Sequence, residues 1–217
     1  MANKKLINWM AGATTAGAAV WLCVFFQRQP TPIDRVLHEK VGQVLAAEAI
    51  KLLEPGGRLI VIARDKEPFQ VPAAAAQLDG FVKAIQKSGK VVSSMRLLKV
   101  DPLRVVSVPP GDFFDLMRQG RSNDVIVSFL GPPLLSDEQL ARLGAKRLPV
   151  LALCSGAMPL QVDLKEIFDR RLLSAAVVSR PDAPARASNS QSAFEQMFKV
   201  ITPANMSELP AVAVARN

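Results

Sequence analysis

Between residues 34 and 180, short charge-free apolar runs recur, each reached through a stretch with apolar residues at helical spacing, and this alternation constrains the fold more than any other feature. Leu59-Ile60-Val61-Ile62-Ala63 is the first such run. A continuous apolar segment of that length suits a strand covered on both faces, and strands of this kind separated by helices imply a parallel sheet. Leu37, Val41, Val44, Leu45 and Leu52 fall on one side of a predicted helix that Pro55-Gly56-Gly57 ends. Leu78, Phe81, Val82 and Ile85 follow at i, i+3, i+4 and i+7, with Ser88-Gly89 as the stop and Val91 to Val100 as an extended segment. A short helix around Asp112 to Arg118 leads to Val125-Ile126-Val127-Ser128-Phe129. Ser136, with Gln139 three residues on, starts a helix that leads to Val150-Leu151-Ala152-Leu153. Asp163 with Glu166 caps another, striped by Leu164, Ile167 and Phe168, ahead of Ala175-Ala176-Val177-Val178. The predicted fold is α/β, a doubly wound parallel sheet of about five strands over residues 34–180. Residues 181–217 turn to Pro, Ala, Ser and Asn, with a short helix around Phe194 to Lys199, and read as a lid or docking tail.

Ahead of this domain, residues 6–26 carry no charge, and as a helix they would span about 31 Å, the depth of a bilayer core. Lys4 and Lys5 precede the run, so the sequence predicts a single-pass anchor in the inner membrane, with residues 1–26 holding the cytoplasmic tip and the span. The main domain would then be periplasmic. Within the span Gly12 and Ala16, and Ala13 and Gly17, form small-xxx-small pairs, a candidate helix-packing face together with Trp21. Lys4, Lys5 and Trp9 are the candidate interface residues. A cleaved signal peptide competes with the anchor, but Phe25-Phe26-Gln27-Arg28 at the far end is bulky where cleavage needs small residues. Residues 27–33, with Pro30 and Pro32, read as a short stiff linker.

Composition removes several kinds of chemistry. Two cysteines among 217 residues, one inside the apolar run, rule out a disulfide scaffold or a Cys-based zinc site. His38 is the only histidine, so neither a multi-His metal site nor a remote triad base is available. Ser155 ends a strand beside Gly156, where α/β enzymes present nucleophiles, yet no G-x-S-x-G surrounds it and His38 lies in the first helix. Cys154 reads as a small buried hydrophobe and Gly56-Gly57 as a helix stop, not a phosphate loop. With 27 Lys+Arg against 19 Asp+Glu the chain carries +8, which favours an acidic partner or anionic lipid heads. The basic residues look scattered and Tyr is absent, so nucleic acid is not expected.

Gly42 through Ala63, followed by Gly80-Phe81 through Gly89, resembles the second lobe of the type I periplasmic sugar-binding proteins and LacI-type sensor domains. The resemblance runs over roughly residues 38–180 and implies a periplasmic-binding-protein-like lobe with ligand at the strand ends. It also marks departures. Where the family commonly places a ligand-contacting Arg three residues before the Gly-Phe pair, this chain has Gln77. An Asn-Asp pair after the third strand is replaced by Leu130-Gly131, and a Gly-x-Asp after the next by Cys154-Ser155-Gly156. The anchor stands where the family's first lobe would be, so an inherited sugar site is not expected from sequence.

The loop from Arg64 to Glu67 follows the first strand, on the edge where open α/β sheets bind ligands. Candidate ligand contacts are therefore Arg64, Asp65, Gln77, Ser128 and Ser155; no cofactor, metal or catalytic residue is expected. The leading functional expectation is a non-enzymatic, membrane-anchored accessory subunit of a larger bacterial complex, partnered by other membrane-protein subunits and the lipid bilayer. The alternative is a solute-binding or sensor module with a degenerate periplasmic-binding-protein site.

Overall fold

In the computed structural model, residues 21, 33–65, 71–100, 107–184 and 193–210 are described. The chain divides by compactness into Met1–Ile33 and Asp34–Asn217. Of the first unit only Trp21, helical and exposed, and Ile33 are described. The expected span 6–26, with Lys4, Lys5, Trp9, Gly12, Ala13, Ala16 and Gly17, otherwise lies outside the described residues.

The second unit runs α1 (Arg35–Leu52), β1 (Leu59–Arg64), α2 (Pro72–Lys87), β2 (Ser94–Leu98), α3 (Pro110–Gln119), β3 (Val125–Ser128) and α4 (Asp137–Leu143). It continues through β4 (Val150–Cys154), α5 (Met158–Gln161), α6 (Leu164–Asp169), β5 (Ala175–Ser179), α7 (Ala193–Met197), β6 (Phe198–Ile201) and a 3-10 turn at Met206–Glu208. The strands form one sheet in the order β2-β1-β3-β4-β5-β6. Neighbours from β2 to β5 pair in parallel, and β6 pairs antiparallel to β5, with Val177 opposite Val200. The chain adds β2 on one side of β1 and β3 on the other, so β1 and β3 flank the point where the sheet order switches.

Alternate residues of each strand face two separate apolar layers. Val61, Val127, Leu151 and Val177 pack with Leu45, Ala49, Phe81 and Phe194 from α1, α2 and α7. Ile62, Ile126, Ala152 and Val178 pack on the other face with Phe113, Met117, Leu164 and Phe168 from α3 and α6. Both strand faces are covered, which is why β1, β3, β4 and β5 are continuous in apolar character. Local signals start the helices as expected: Ser136 and Gln139 form a reciprocal capping box, and Asp163 accepts from the Glu166 amide.

Helices α1 and α2 touch backbone to backbone. A Cβ on Gly42 would lie 1.9 Å from the Gln77 carbonyl oxygen, and one on Gly80 would lie 2.2 Å from the Glu39 carbonyl oxygen. Only glycine permits that reciprocal approach.

Three expectations are corrected. The sheet has six strands, and its last pair is antiparallel. The segment expected to be helical through Lys199 is a helix only to Met197, after which Phe198–Ile201 extends against β5, because pairing satisfies its backbone where a helix would leave that edge open. Placement in the inner membrane as a single-pass protein is overturned: among the described residues no helix is long and apolar enough to cross a membrane. The longest, α1, carries Arg35, Glu39, Lys40, Glu48 and Lys51 on its outer face, as a helix that packs on a sheet does.

Candidate functional site at the carboxyl edge of the sheet

The carboxyl ends of the strands bring Arg64, Asp65, Ser128, Ser155 and Arg180 to one edge. Backbone hydrogen bonds tie the loops there: the Asp65 amide donates to the Leu98 carbonyl at 2.8 Å, and the Phe129 amide to the Ile62 carbonyl at 2.9 Å. Arg64 donates from one terminal nitrogen to the Val100 carbonyl at 3.5 Å, a long bond and the one its guanidinium makes among the described residues. Ser155 is exposed beside Gly156, whose φ of +66° lets the chain turn sharply off β4. Ser179 at the end of β5 donates from its hydroxyl to the Gly156 carbonyl at 3.2 Å and so holds the β4 and β5 loops together.

Two of the expected contacts are engaged elsewhere. Gln77 is buried and its side-chain amide lies 3.1 Å from His38 Nδ1, bridging α2 to α1, so it faces the helix layer and not the edge. The half-buried His38 has its pKa lowered by desolvation, with Asp34 opposing. Ser128 is fully buried and its hydroxyl accepts from the Leu130 amide at 3.2 Å, shaping the turn after β3. Leu130 is itself buried, and a Cβ on Gly131, at φ +97°, would meet Met158 at 2.7 Å. Phe129 packs edge-on against Phe81, with centroids 5.5 Å apart. The middle of the edge is thus apolar, with polar groups to either side of it. Cys154 beneath it is buried, and its thiol is pushed up to about 12 by burial, which keeps it an inert thiol at neutral pH.

Arg180 was not among the expected residues. It follows β5 directly, its Nε is buried with no hydrogen-bond partner among the described residues, and a terminal nitrogen reaches Asp182 only at 3.9 Å. A buried donor without an acceptor is costly, so such a group at a ligand edge marks a place where an acceptor would be welcome. The one sequence cue was its position immediately after the last parallel strand. No cluster of His, Cys, Asp or Glu suited to a metal ion occurs among the described residues. A shallow groove of about 330 Å³ runs between α4 and α6, lined by Leu134, Leu135, Ser136, Val162, Ile167 and Arg170 among others. Arg170 there is already paired, at 2.7 Å with Asp137 and 2.6 Å with Glu166.

Two solved structures share this architecture. AraP, an arabinose binding protein from Geobacillus stearothermophilus, superposes with a TM-score of 0.52 at 16% identity, over 80% of this chain and 63% of that one. A sugar ABC transporter sugar-binding protein from Bacillus halodurans superposes with a TM-score of 0.51 at 12% identity, over 80% of this chain and 64% of that one. The fold is one lobe of the periplasmic sugar-binding type. This chain spans less than two thirds of the length of either relative. Both relatives are named as sugar-binding proteins. No family model matches the chain, and no curated protein matches it in sequence. Nothing in these comparisons favours the accessory-subunit reading over the binding-module one.

Proposed function

We propose that this lobe is a solute-binding module that takes a small polyhydroxylated solute against the carboxyl edge of its sheet. The observation that carries the reading is the Nε of Arg180 at that edge, buried with no hydrogen-bond partner among the described residues, in a sheet wound like those of sugar-binding proteins. Arg64 at the end of β1, Ser155 after β4 and Arg180 after β5 would supply the donors, because guanidinium forks and a hydroxyl match the oxygens of a sugar. Phe129 and Leu130 would supply the apolar floor beneath the solute. A sugar is the first ligand class to try because both relatives are named for binding one. The described lobe forms one wall of such a site.

The test is a thermal-shift and calorimetric panel of pentoses, hexoses and amino acids on the full chain. A rise in melting temperature confined to one sugar class, and abolished by R180A, supports the reading. An unmoved melting temperature across the panel, with heats at the level of dilution, refutes it.

A further inference from the structure

Positive charge that looks scattered along the chain is gathered in space. Arg58 leads into β1, Lys90 into β2, Arg121 into β3, Lys146 and Arg147 into β4, and Arg170 and Arg171 into β5, so every parallel strand is entered past a cation. Lys51, Lys87, Arg118 and Arg142 add to this edge from the last turns of the four longest helices that end there. Contacts between its members knit part of the array together. Lys146 Nζ donates to the Arg118 carbonyl at 2.7 Å, Arg147 reaches the Arg170 carbonyl at 3.4 Å, and the Arg118 and Arg142 guanidiniums lie 6.0 and 5.0 Å from the centroid of the same Phe114 ring.

Favourable interaction with helix dipoles accounts for cations in the last helical turn, but not for those in the loops beyond. Lys90, Arg121, Arg142, Lys146 and Arg171 are exposed and have no carboxylate partner among the described residues. The carboxylates nearby are Asp124, which is buried under Arg58, Glu48 on Lys51, Asp115 on Arg118, Asp137 and Glu166 on Arg170, and exposed Glu54 and Asp169, so Lys90, Arg121, Arg142, Lys146 and Arg171 are among the cations left unpaired among the described residues. Cations held this close repel one another, and an anionic partner would relieve that repulsion.

We infer that the amino edge of the sheet, centred on Arg118, Arg121, Arg142, Lys146 and Arg171, docks an acidic protein segment. Four of these five residues are arginines, whose planar forks pair carboxylates two bonds at a time. A nucleic acid fits less well, since the aromatic rings at this edge, Phe113 and Phe114, are buried and cannot stack on bases. A lipid surface also fits less well. The large apolar side chains exposed among the described residues are Trp21, Ile33, Val36, Val71, Val91, Met95, Leu97 and Leu134, and none lies in the loops before β3, β4 or β5.

The test titrates a labelled glutamate-rich peptide against the full chain by fluorescence anisotropy at low and physiological salt. Binding should be saturable, and R121Q/R142Q/K146Q should weaken it by about tenfold, the loss of three exposed charge contacts together. K40Q/K99Q/K165Q removes the same charge from exposed positions elsewhere and should leave the affinity within about twofold, since distant surface charges are screened. Equal weakening by both sets would overturn the proposal. So would no saturable binding by a chain whose melting temperature is unchanged, or tighter binding to a thymidine oligonucleotide or to phosphatidylglycerol vesicles of matched charge. The sugar response of the Arg180 edge is a separate readout that R121Q/R142Q/K146Q does not touch.

Discussion

At the amino edge, Asp124 is fully buried and accepts from the Arg58 amide at 2.9 Å, from the Arg58 guanidinium at 2.6 Å and from the Arg121 amide at 2.8 Å. At the carboxyl edge, Arg180 also buries a charged group's polar atom, but with no acceptor against it. The first arrangement ties the loop before β1 to the loop before β3 and leaves nothing unsatisfied on the carboxylate. The second carries a desolvation cost with no hydrogen-bond acceptor for the Nε among the described residues. Charge follows the same division, with acids such as Asp112, Asp137 and Asp163 at helix starts and cations at helix ends. One sheet therefore has a tied edge whose outer surface is basic, and an opposite edge whose unmet donor is where the proposed solute would sit.

The largest expected effect falls on the tied edge. D124A removes the acceptor for the Arg58 guanidinium and for the Arg58 and Arg121 amides, and should cost about 2–4 kcal/mol of unfolding free energy by denaturant titration. S155A at the other edge should change it by less than about 0.5 kcal/mol. Comparable losses from the two would erase the contrast.

Next in size is the helix layer. G80A forces a Cβ into the Glu39 carbonyl and should cost about 1–3 kcal/mol, as overpacking does, measured by the same titration. That loss would show that α1 and α2 are seated by backbone contact and not by the Arg35, Glu39, Asp79 and Lys83 ion pairs along their outer surface.

A pH series sharpens the comparison further. Burial raises the Asp124 pKa, but hydrogen bonds from Arg58 and Arg121 and the Arg58 charge outweigh it and hold the group at about 2, against an ordinary 3.8. A carboxylate depressed in the fold contributes stability above its ordinary pKa, and that contribution, about 2 kcal/mol here, is lost as pH falls from about 4 to about 2. R58Q should flatten this limb in a stability-against-pH curve. His38 gives a smaller limb at higher pH. Its folded pKa lies below 6.5, so the unfolded chain binds the proton more readily and stability falls as pH drops below that value. H38Q should remove that dependence. The smallest effect on stability belongs to R64A/R180A, within about 0.5 kcal/mol, although it should abolish any sugar-induced rise in melting temperature.

The strands of the core were legible because each is covered on both faces and so is apolar without interruption; Leu59 to Ala63 and Val150 to Cys154 need no partner to be recognised. Helix starts were equally local, as at Ser136 with Gln139. β6 was not legible. Phe194 and Phe198 stand four apart with no breaker between them, the spacing of a helix face, and it is pairing with β5 that turns Phe198 to Ile201 into a strand. The Arg58–Asp124 tie joins residues far apart in sequence and leaves no local trace. Gln77 and Ser128 read from sequence as candidate ligand contacts, but both are buried and serve His38 and the Leu130 amide instead. Arg180 was hidden because a lone arginine after a strand resembles any solvated loop residue until its Nε is found buried. The basic edge escaped for a related reason: its members recur once per strand-helix unit, so only the winding of the sheet brings them together.

An amide-resolved NMR titration of the full, isotope-labelled chain with the sugar panel tests the ligand edge most directly. The expected result is that one sugar class shifts the amides of Arg64, Asp65, Gly131, Ser155, Gly156 and Arg180, while those of Arg58, Arg121, Asp124 and Lys146 stay in place. Shifts confined to the second group, or none with any sugar up to its solubility, would contradict the assignment of the carboxyl edge as the binding face.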